Sequence, residues 1–227
     1  MRVEPSTSRR GAFFDLERTL TRHAVEQAVG TASWRRGDLP TSGALRMAWA
    51  YLKYDLGLVG EFEALKRAGA VVFTGRDHAR DVAQFLAWFA EEGRAAIFPE
   101  ARAAVDAFRA GGVPVWIVSS TYDFMVAPYA RELGCAGFFG CSLEVVDGRC
   151  TGRIAGTIWH QETKARAVRE VAAAEGIDLA QSWAFGDSVN DEAMLRAVGR
   201  PKVVNPGRAL RRRAEERGWE VLRWGGG

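Results

Sequence analysis

Four short stretches carry the polar residues whose types and spacing could do chemistry. Asp15–Glu17, Ser119–Thr121 and Asp187–Asp191 each follow an apolar run, and Lys164 lies between the last two. Carboxylates at neighbouring strand ends provide the hard oxygen ligands that Mg²⁺ prefers. A hydroxyl, a lysine and the backbone N–H groups of helix starts suit a phosphate group. Together these residue types indicate a phosphoryl-transfer site, where positioning and charge neutralisation supply most of the catalysis.

Each of these residues also has a simpler structural interpretation. Asp15 taken alone fits a helix N-cap or a turn, and the hydroxyl run at 119–121 fits the cap of a following helix. A lone lysine such as Lys164 is most often a surface residue. One of the two aspartates in the third stretch could be a helix cap. The functional interpretation therefore depends on all four stretches occurring together.

The elements that must position these residues alternate between strand and helix. We predict strands at 11–16, 113–118, 182–185, 202–204 and 220–222, and helices at 99–110, 124–133, 164–175 and 191–197. Asp147–Gly148 predicts a hairpin between strands at 142–146 and 149–154. This alternation predicts an α/β fold with a mostly parallel sheet. In such sheets ligands bind beyond the carboxyl ends of the strands, where the polar stretches lie.

Residues 22–98, called the insertion below, differ in character from the rest of the chain. They contain helical patterns at 45–54, 61–68 and 77–92, and only one weak strand pattern, at 71–73. We therefore expect a small all-helical subdomain, with residues 11–21 and 99–227 forming the α/β core.

The four stretches and their surroundings resemble the haloacid dehalogenase superfamily, and within it the phosphoserine-phosphatase-like hydrolases of subfamily IB. The matching segments are FFDLERTLT, the PEA at 99–101, IVSS, DGRCTGRI, Lys164, GDSVNDEAML and VVNPG, which together extend over nearly the whole chain. The resemblance implies a Rossmann-like parallel sheet with helices on both faces. It also implies that the insertion is a small helical cap of the C1 type placed after the first strand.

The resemblance also implies a role for each polar residue. Asp15 would be the nucleophile and form an aspartyl-phosphate, while Glu17 would be the general acid and base. Mg²⁺ would be held by Asp15, by the backbone carbonyl of Glu17 and by Asp187, and Asp191 would complete the metal shell or anchor Lys164. The phosphate group would be bound by residues from three stretches: Ser119, Ser120, Lys164 and Asn190.

The chain departs from the family pattern at two positions. Family phosphatases carry aspartate two residues after the nucleophile, whereas this chain has Glu17, which reaches one methylene further. Three interpretations stay open: hydrolysis with lower turnover, transfer of the phosphate to an alcohol acceptor, or loss of catalysis with binding retained. Ala24 replaces the glutamate with which phosphoserine phosphatases grip the amino group of their substrate, so the sequence disfavours phosphoserine.

Composition limits the remaining possibilities. Hydrophobic residues make up 48% and charged residues 26%, and the net charge is +3. Several arginines cluster near the C-terminus, at 208, 211, 212, 213 and 217, and we interpret them as a solvated helix face rather than a nucleic-acid site. Three cysteines without CxxC spacing, together with the lack of a signal or membrane segment, predict reduced thiols in a cytoplasmic protein. We expect a small phosphorylated metabolite as partner, no nucleic acid and no membrane, and the sequence indicates no oligomeric state.

Overall fold

The computed structural model describes residues 9–37, 49 and 62–226. Seven strands form one sheet. Their bounds are β1 (Ala12–Phe14), β2 (Val115–Tyr122), β3 (Gly137–Val146), β4 (Arg149–Ala155), β5 (Trp183–Gly186), β6 (Arg200–Val204) and β7 (Glu220–Leu222). The strand order is β4-β3-β2-β1-β5-β6-β7, and every neighbouring pair is parallel except the β3–β4 hairpin.

Helices connect the strands and build the insertion. We number the α-helices of the described residues α1 (Val25–Arg35), α2 (Phe62–Ala70), α3 (His78–Trp88), α4 (Pro99–Ala110), α5 (Asp123–Glu132), α6 (Glu162–Glu175), α7 (Glu192–Arg196) and α8 (Arg208–Arg217). Short 3₁₀ turns occur at Val71–Phe73, Arg94–Ala96, Leu179–Gln181 and Val189–Asp191, and a π-helical turn spans Phe89–Gly93. The predicted α/β architecture with a mostly parallel sheet is confirmed.

Strand β1 lies in the middle of the sheet, and its neighbours place the polar stretches side by side. Phe14 is in register with Ile117 of β2 on one side and with Phe185 of β5 on the other. Because the three strands are parallel, their carboxyl ends meet at one edge of the sheet. Asp15 directly follows β1, and Asp187 directly follows β5.

The sheet is buried on both faces, as its apolar strands require. Neighbouring residues of a strand point to opposite faces, so Phe14 packs in one core and Phe13 in the other. The Phe14 core includes buried residues of α4 and α5, and it continues into the insertion through Phe85 and Trp88. The Phe13 core includes buried residues of α6, α7 and α8. Helices thus cover both faces.

Backbone hydrogen bonds mark where the insertion leaves and rejoins the core. The N–H of Arg22 donates to the Ala96 carbonyl at 2.9 Å, and the N–H of Phe98 donates to the Leu20 carbonyl at 3.0 Å. Thr21 and Ile97 form an isolated antiparallel bridge between these bonds. The chain therefore enters and leaves the insertion as two paired segments.

A second contact joins the insertion to the β3–β4 hairpin. The N–H of His78 donates to the Gly148 carbonyl at 3.0 Å, and the N–H of Cys150 donates to the Arg76 carbonyl at 2.9 Å. Gly75 adds a third bond, from its N–H to the Cys150 carbonyl at 2.8 Å. The hairpin predicted from Asp147–Gly148 is thus confirmed, and its tip is fastened to the segment before α3.

Three sequence predictions differ from the structure or fall outside it. The strand pattern at 71–73 is wrong, because Val71–Phe73 forms a 3₁₀ turn that continues α2. Strand β2 extends beyond the predicted 113–118, through the hydroxyl residues to Tyr122. The helix predicted at 45–54 lies outside the described residues.

The C-terminal arginines lie on α8, as predicted, with the apolar Leu210 and Ala214 facing the core. Arg213 and Arg217 both pair with Glu192 of α7. All three cysteines are free thiols. Within the part of the chain that the structure describes, no helix combines the length and the apolar content needed to cross a membrane.

Candidate active site

The Asp15 carboxylate lies buried at the carboxyl end of β1. The backbone N–H of Asp15 donates to the Phe185 carbonyl at 2.9 Å, which continues the β1–β5 pairing up to this residue. Its Oδ1 accepts a hydrogen bond from Lys164 Nζ at 2.6 Å. The interpretation of Lys164 as a surface residue is therefore wrong, because its side chain is only 2% exposed.

Lys164 is held between two carboxylates. The same Nζ donates to Asp191 Oδ1, also at 2.6 Å. Lys164 belongs to the first turn of α6, and the residue before that helix, Gln161, adopts φ 43° and ψ −119°, which a side-chain-bearing residue rarely does. The N–H of Gln161 donates to the Asn190 carbonyl at 2.8 Å. This bond joins the start of α6 to the loop that carries Asp187 and Asp191.

Asp191 organises that loop with its second oxygen. Oδ2 accepts from the backbone N–H of Asp187 at 3.3 Å and from the backbone N–H of Ser188 at 3.1 Å. The Ser188 hydroxyl donates to the same oxygen at 3.1 Å. Asp191 therefore bonds Lys164 with one oxygen and caps the turn at Val189–Asp191 with the other, so the structural interpretation of this residue as a cap is confirmed.

Three carboxylates converge where a cation could bind. One oxygen from each of Asp15, Asp187 and Asp191 lies within 4.8 Å of the others. Among the described residues, none donates a hydrogen bond to the Asp187 carboxylate or lies at ion-pair distance from it. A partly buried carboxylate without a partner is costly, and a hard divalent cation would supply the missing positive charge. The donor set therefore fits Mg²⁺.

Burial governs the protonation of this cluster. It raises the pKa of Asp15 to about 7, because removal from water outweighs the opposing effect of Lys164, and the nearby Asp191 charge adds to the rise. Burial also raises the pKa of Asp187 well above its usual value, again reinforced by Asp191 and Asp15. The pKa of Lys164 is raised by its two carboxylate partners, which outweigh the effect of burial on the ammonium. The lysine is thus a fixed positive charge.

The Glu17 side chain points to the start of α1 in the insertion. Its Oε1 accepts a hydrogen bond from the backbone N–H of Glu26 at 3.3 Å. Burial raises the pKa of Glu17, and the Glu26 charge raises it further, while Lys66 and the Thr121 hydroxyl act in the opposite direction. A carboxyl with a raised pKa keeps its proton nearer to neutral pH, as a general acid must.

The remaining predicted residues occupy different positions around this centre. Ser119 is fully buried within β2, and its Oγ accepts from the Thr121 N–H at 3.1 Å. It therefore does not cap α5, whose N-cap is Tyr122. Ser120 lines a cavity next to Glu17. Asn190 contributes its backbone carbonyl to the bond with Gln161.

A cavity of about 310 Å³ separates the insertion from the carboxyl ends of the strands. Glu17 and Ser120 belong to the core part of its lining, while α1, α2 and α3 of the insertion supply most of the rest. Its volume lies at the lower end of the range of about 300–1,000 Å³ that is typical of small-molecule sites.

Sequence reasoning missed two features of the site. The unusual backbone of Gln161 had no signal in the sequence, because residues with side chains rarely adopt positive φ. The buried ion pair of Lys66 and Glu26, which lines the cavity, joins residues of two helices in the insertion. Only the uncommon burial of a lysine distinguishes it, and burial is not visible in the sequence.

The chain matches one family model and is similar to several known proteins. A family model described as haloacid dehalogenase-like hydrolase matches residues 12–196. A Mycobacterium tuberculosis protein named phosphoserine phosphatase SerB1 is 33% identical over 213 residues, which cover 92% of this chain and 69% of the relative. A solved structure of a protein with unknown function from Bordetella pertussis Tohama I is 31% identical in sequence and superposes with a TM-score of 0.84. The match covers 95% of this chain and 99% of the chain in that structure. A substrate-bound phosphoserine phosphatase has the same fold, with a TM-score of 0.73 at 18% sequence identity. That match covers 96% of this chain and 94% of the phosphatase chain.

Proposed function

Because the chain belongs to the haloacid dehalogenase-like hydrolase family and is a phosphoric monoester hydrolase, we propose that it cleaves a small-molecule phosphomonoester through an aspartyl-phosphate on Asp15, with Mg²⁺ as cofactor. The observation that carries this proposal is the Asp15 carboxylate itself. It is buried at the end of the central strand, bonded to Lys164 and within 4.8 Å of two further carboxylates. A carboxylate in this setting is a nucleophile whose charge is balanced by fixed neighbours.

In the first step an oxygen of Asp15 attacks phosphorus, and the bond from phosphorus to the ester oxygen breaks. Lys164 is placed to offset the negative charge of the phosphoryl oxygens, because Asp15 and Asp191 hold its ammonium in a fixed position. Ser119, Ser120 and Asn190 are the further candidates for binding these oxygens. Ser119 lies within β2, two residues beyond Ile117, the partner of Phe14. The Asn190 carbonyl is tied to the start of α6.

Glu17 supplies and then removes a proton. It protonates the departing ester oxygen, so that the alcohol leaves as a neutral molecule. It then takes a proton from the water that attacks the phosphorus of the aspartyl-phosphate, which releases inorganic phosphate and restores Asp15. The raised pKa of Glu17 supports the first role, and the bond from the Glu26 N–H holds the longer side chain in position.

Mg²⁺ would be held by Asp15, the backbone carbonyl of Glu17 and Asp187. Asp191 is better suited to positioning Lys164, because the lysine and two backbone N–H groups already occupy its oxygens. When bound, the cation neutralises charge on the transferring phosphoryl group. The unpartnered Asp187 carboxylate supports this assignment.

The insertion, residues 22–98, is proposed to act as a cap over the strand ends, with residues 11–21 and 99–227 as the core. The paired segments around Thr21 and Ile97 support these boundaries. A cap that encloses the substrate excludes bulk water from the charged centre.

The proposed partner is a small phosphorylated metabolite in the cytoplasm, without nucleic acid or membrane. The free thiols support a reducing compartment. The pairing of Arg213 and Arg217 with Glu192 supports a structural role for two of the C-terminal arginines.

The experiment measures inorganic phosphate released from a panel of phosphomonoesters, with Mg²⁺ and with EDTA, by the wild type and by Asp15→Asn. We expect metal-dependent release that Asp15→Asn abolishes, with a labelled phosphate retained on the wild-type protein after rapid quenching. Asp178→Asn, which makes the same exchange away from the strand ends, serves as the control. Release that persists in Asp15→Asn would refute the nucleophile. Phosphate that appears on an added alcohol instead of in solution would identify a transferase.

A further inference from the structure

We propose that the substrate of this site is the phosphomonoester of an alcohol whose body is mainly hydrocarbon, and that this body occupies the cavity between the insertion and the strand ends. The inference rests on the proposed function and specifies its substrate class. Three properties of the cavity lead to it: its position, its lining and its charge balance.

The cavity borders the proposed reaction centre at Glu17. Its lining includes Glu17, the proposed proton donor to the ester oxygen, and Ser120, which follows the buried Ser119. When phosphorus lies against Asp15 and the ester oxygen lies at Glu17, the rest of the alcohol extends into this space. A volume of about 310 Å³ equals that of roughly ten water molecules, at about 30 Å³ each. That is more room than a short polar alcohol fills.

Six aromatic rings contribute to the described part of the cavity wall. The lining includes the rings of Phe62, Phe73, Phe85, Trp88, Tyr122 and Phe124. Phe73 stands edge-on to Tyr122 and to Phe124, with ring centroids 5.2 and 6.2 Å apart. Binding a hydrocarbon chain against these rings is favourable, because apolar surface is removed from water, whereas a polar ligand gains little binding free energy from them.

Apart from Glu17, the charged side chains among the described lining residues are already paired with one another or with neighbours. The pairs are Lys66 with Glu26, Arg76 with Asp81, and Arg36 with Glu91. Among the charged lining residues that the structure describes, Glu17 alone has no counter-ion within ion-pair distance. A phosphorylated amino acid carries an ammonium and a carboxylate, which would have to break these pairs to find partners. Breaking the buried Lys66–Glu26 pair would cost the most free energy, because it would leave a charge uncompensated away from water. An uncharged apolar body leaves every pair intact.

A series of straight-chain alkyl phosphates, from ethyl through butyl to hexyl, separates cavity binding from chemistry. Their leaving groups are primary alcohols of nearly equal acidity, so differences in kcat/KM report the fit of the chain. We expect kcat/KM to rise about two- to fourfold per methylene, as hydrocarbon is transferred from water to an apolar site. Phosphoserine should be a poorer substrate than hexyl phosphate.

Variants locate this effect. Phe73→Ala should lower the ratio of kcat/KM for hexyl over ethyl phosphate at least threefold, because ring contacts with the chain are lost. Phe138→Ala makes the same exchange on β3, outside the cavity, and should leave the ratio unchanged. Gly69→Leu provides a second variant, since a Cβ at Gly69 meets Tyr122 Oη only at 3.5 Å and a larger side chain would fill the space. The ratio is internal to each preparation, so partial misfolding does not alter it.

The outcomes separate this inference from the proposed function. Asp15-dependent release with no increase along the alkyl series, or with phosphoserine preferred to hexyl phosphate, overturns the inference and leaves the phosphatase in place. A ratio that Phe73→Ala and Gly69→Leu do not change also overturns it. Release from none of the esters overturns the proposed function and this inference together.

Discussion

The most direct test among single residues concerns the proton of Glu17. Glutamine keeps the length of the side chain and an oxygen that can accept the Glu26 N–H, but it carries no transferable proton. General acid–base catalysis typically contributes about 10²–10⁴-fold. We therefore expect Glu17→Gln to lower the single-turnover rate of phosphate release by about this factor, measured by rapid quench with saturating Mg²⁺.

Glu91→Gln makes the same exchange on the surface of the insertion, where the side chain is 62% exposed, and should retain the wild-type rate. If Glu17→Gln released phosphate as fast as the wild type, the proton would have to come from another group. A normal first step followed by a persistent aspartyl-phosphate would restrict Glu17 to the second proton transfer.

The residues that could be predicted from the sequence are those next to strand ends. Asp15 and Asp187 follow apolar runs directly, so a parallel sheet brings them together whatever its details. The partners of Glu17 could not be predicted, because Glu26 and Lys66 belong to helices of the insertion. Their positions depend on how the insertion packs on the core, and no local pattern records that packing.

Among the elements, the turn after β5 brings two backbone segments unusually close. A Cβ added at Gly186 would lie 2.4 Å from Asp191 Cβ and 2.8 Å from its Cγ, so alanine must displace Asp191 or the strand. Displacement of Asp191 removes a hydrogen-bond partner of Lys164. A misplacement of about 1 Å can cost about 10²-fold in rate. We expect Gly186→Ala to lower kcat by at least this factor in the phosphate-release assay.

Gly207→Ala is the matched control, since a Cβ at that position meets nothing within 4 Å. Thermal unfolding of both variants separates a local displacement from general destabilisation. Gly186→Ala with wild-type kcat would show that the position of Asp191 does not limit turnover.

Element types were predictable where local chemistry decides them. Asp147–Gly148 specifies a two-residue turn, and Pro99 starts a helix at a position where its missing N–H costs nothing. The apolar run at 71–73 was misread because period alone does not separate a short strand from a buried helical turn. There the end of α2 decides the outcome, since Val71–Phe73 continues that helix as a 3₁₀ turn.

For the whole molecule, the sheet order decides where chemistry takes place, and the insertion decides what reaches it. The parallel sheet could be predicted, since strand–helix alternation favours it, whereas the order of its strands was not predicted. The cavity could not be predicted, because its lining comes from α1, α2, α3 and the end of β2, which are far apart in the chain. The proposed reaction therefore depends on the carboxyl ends of the strands, while the choice of substrate depends on how the insertion packs on the core.

The raised pKa values of the buried carboxylates also affect the stability of the whole molecule. A carboxyl whose pKa is higher in the folded than in the unfolded chain keeps its proton on folding, so stability falls as the pH rises between the two values. For Asp15 this range extends from its usual pKa of 3.8 to about 7. The pKa of Asp187 is raised in the same direction. Without metal, both groups therefore weaken the fold towards neutral pH.

Mg²⁺ binds the ionised carboxylates of the folded chain and should reverse this loss. We expect Mg²⁺ to raise the Tm by several degrees over EDTA at pH 8 and by less at pH 5, since about 1 kcal/mol corresponds to roughly 2–4 °C for a chain of this size. Asp187→Asn removes one partly buried carboxylate and should lose most of the Mg²⁺ response, while its Tm in EDTA at pH 8 rises above that of the wild type. Asp106→Asn, at a side chain that is 56% exposed, should behave as the wild type does. A Mg²⁺ response that is equal at both pH values, or unchanged in Asp187→Asn, would show that the cation does not bind at this carboxylate cluster.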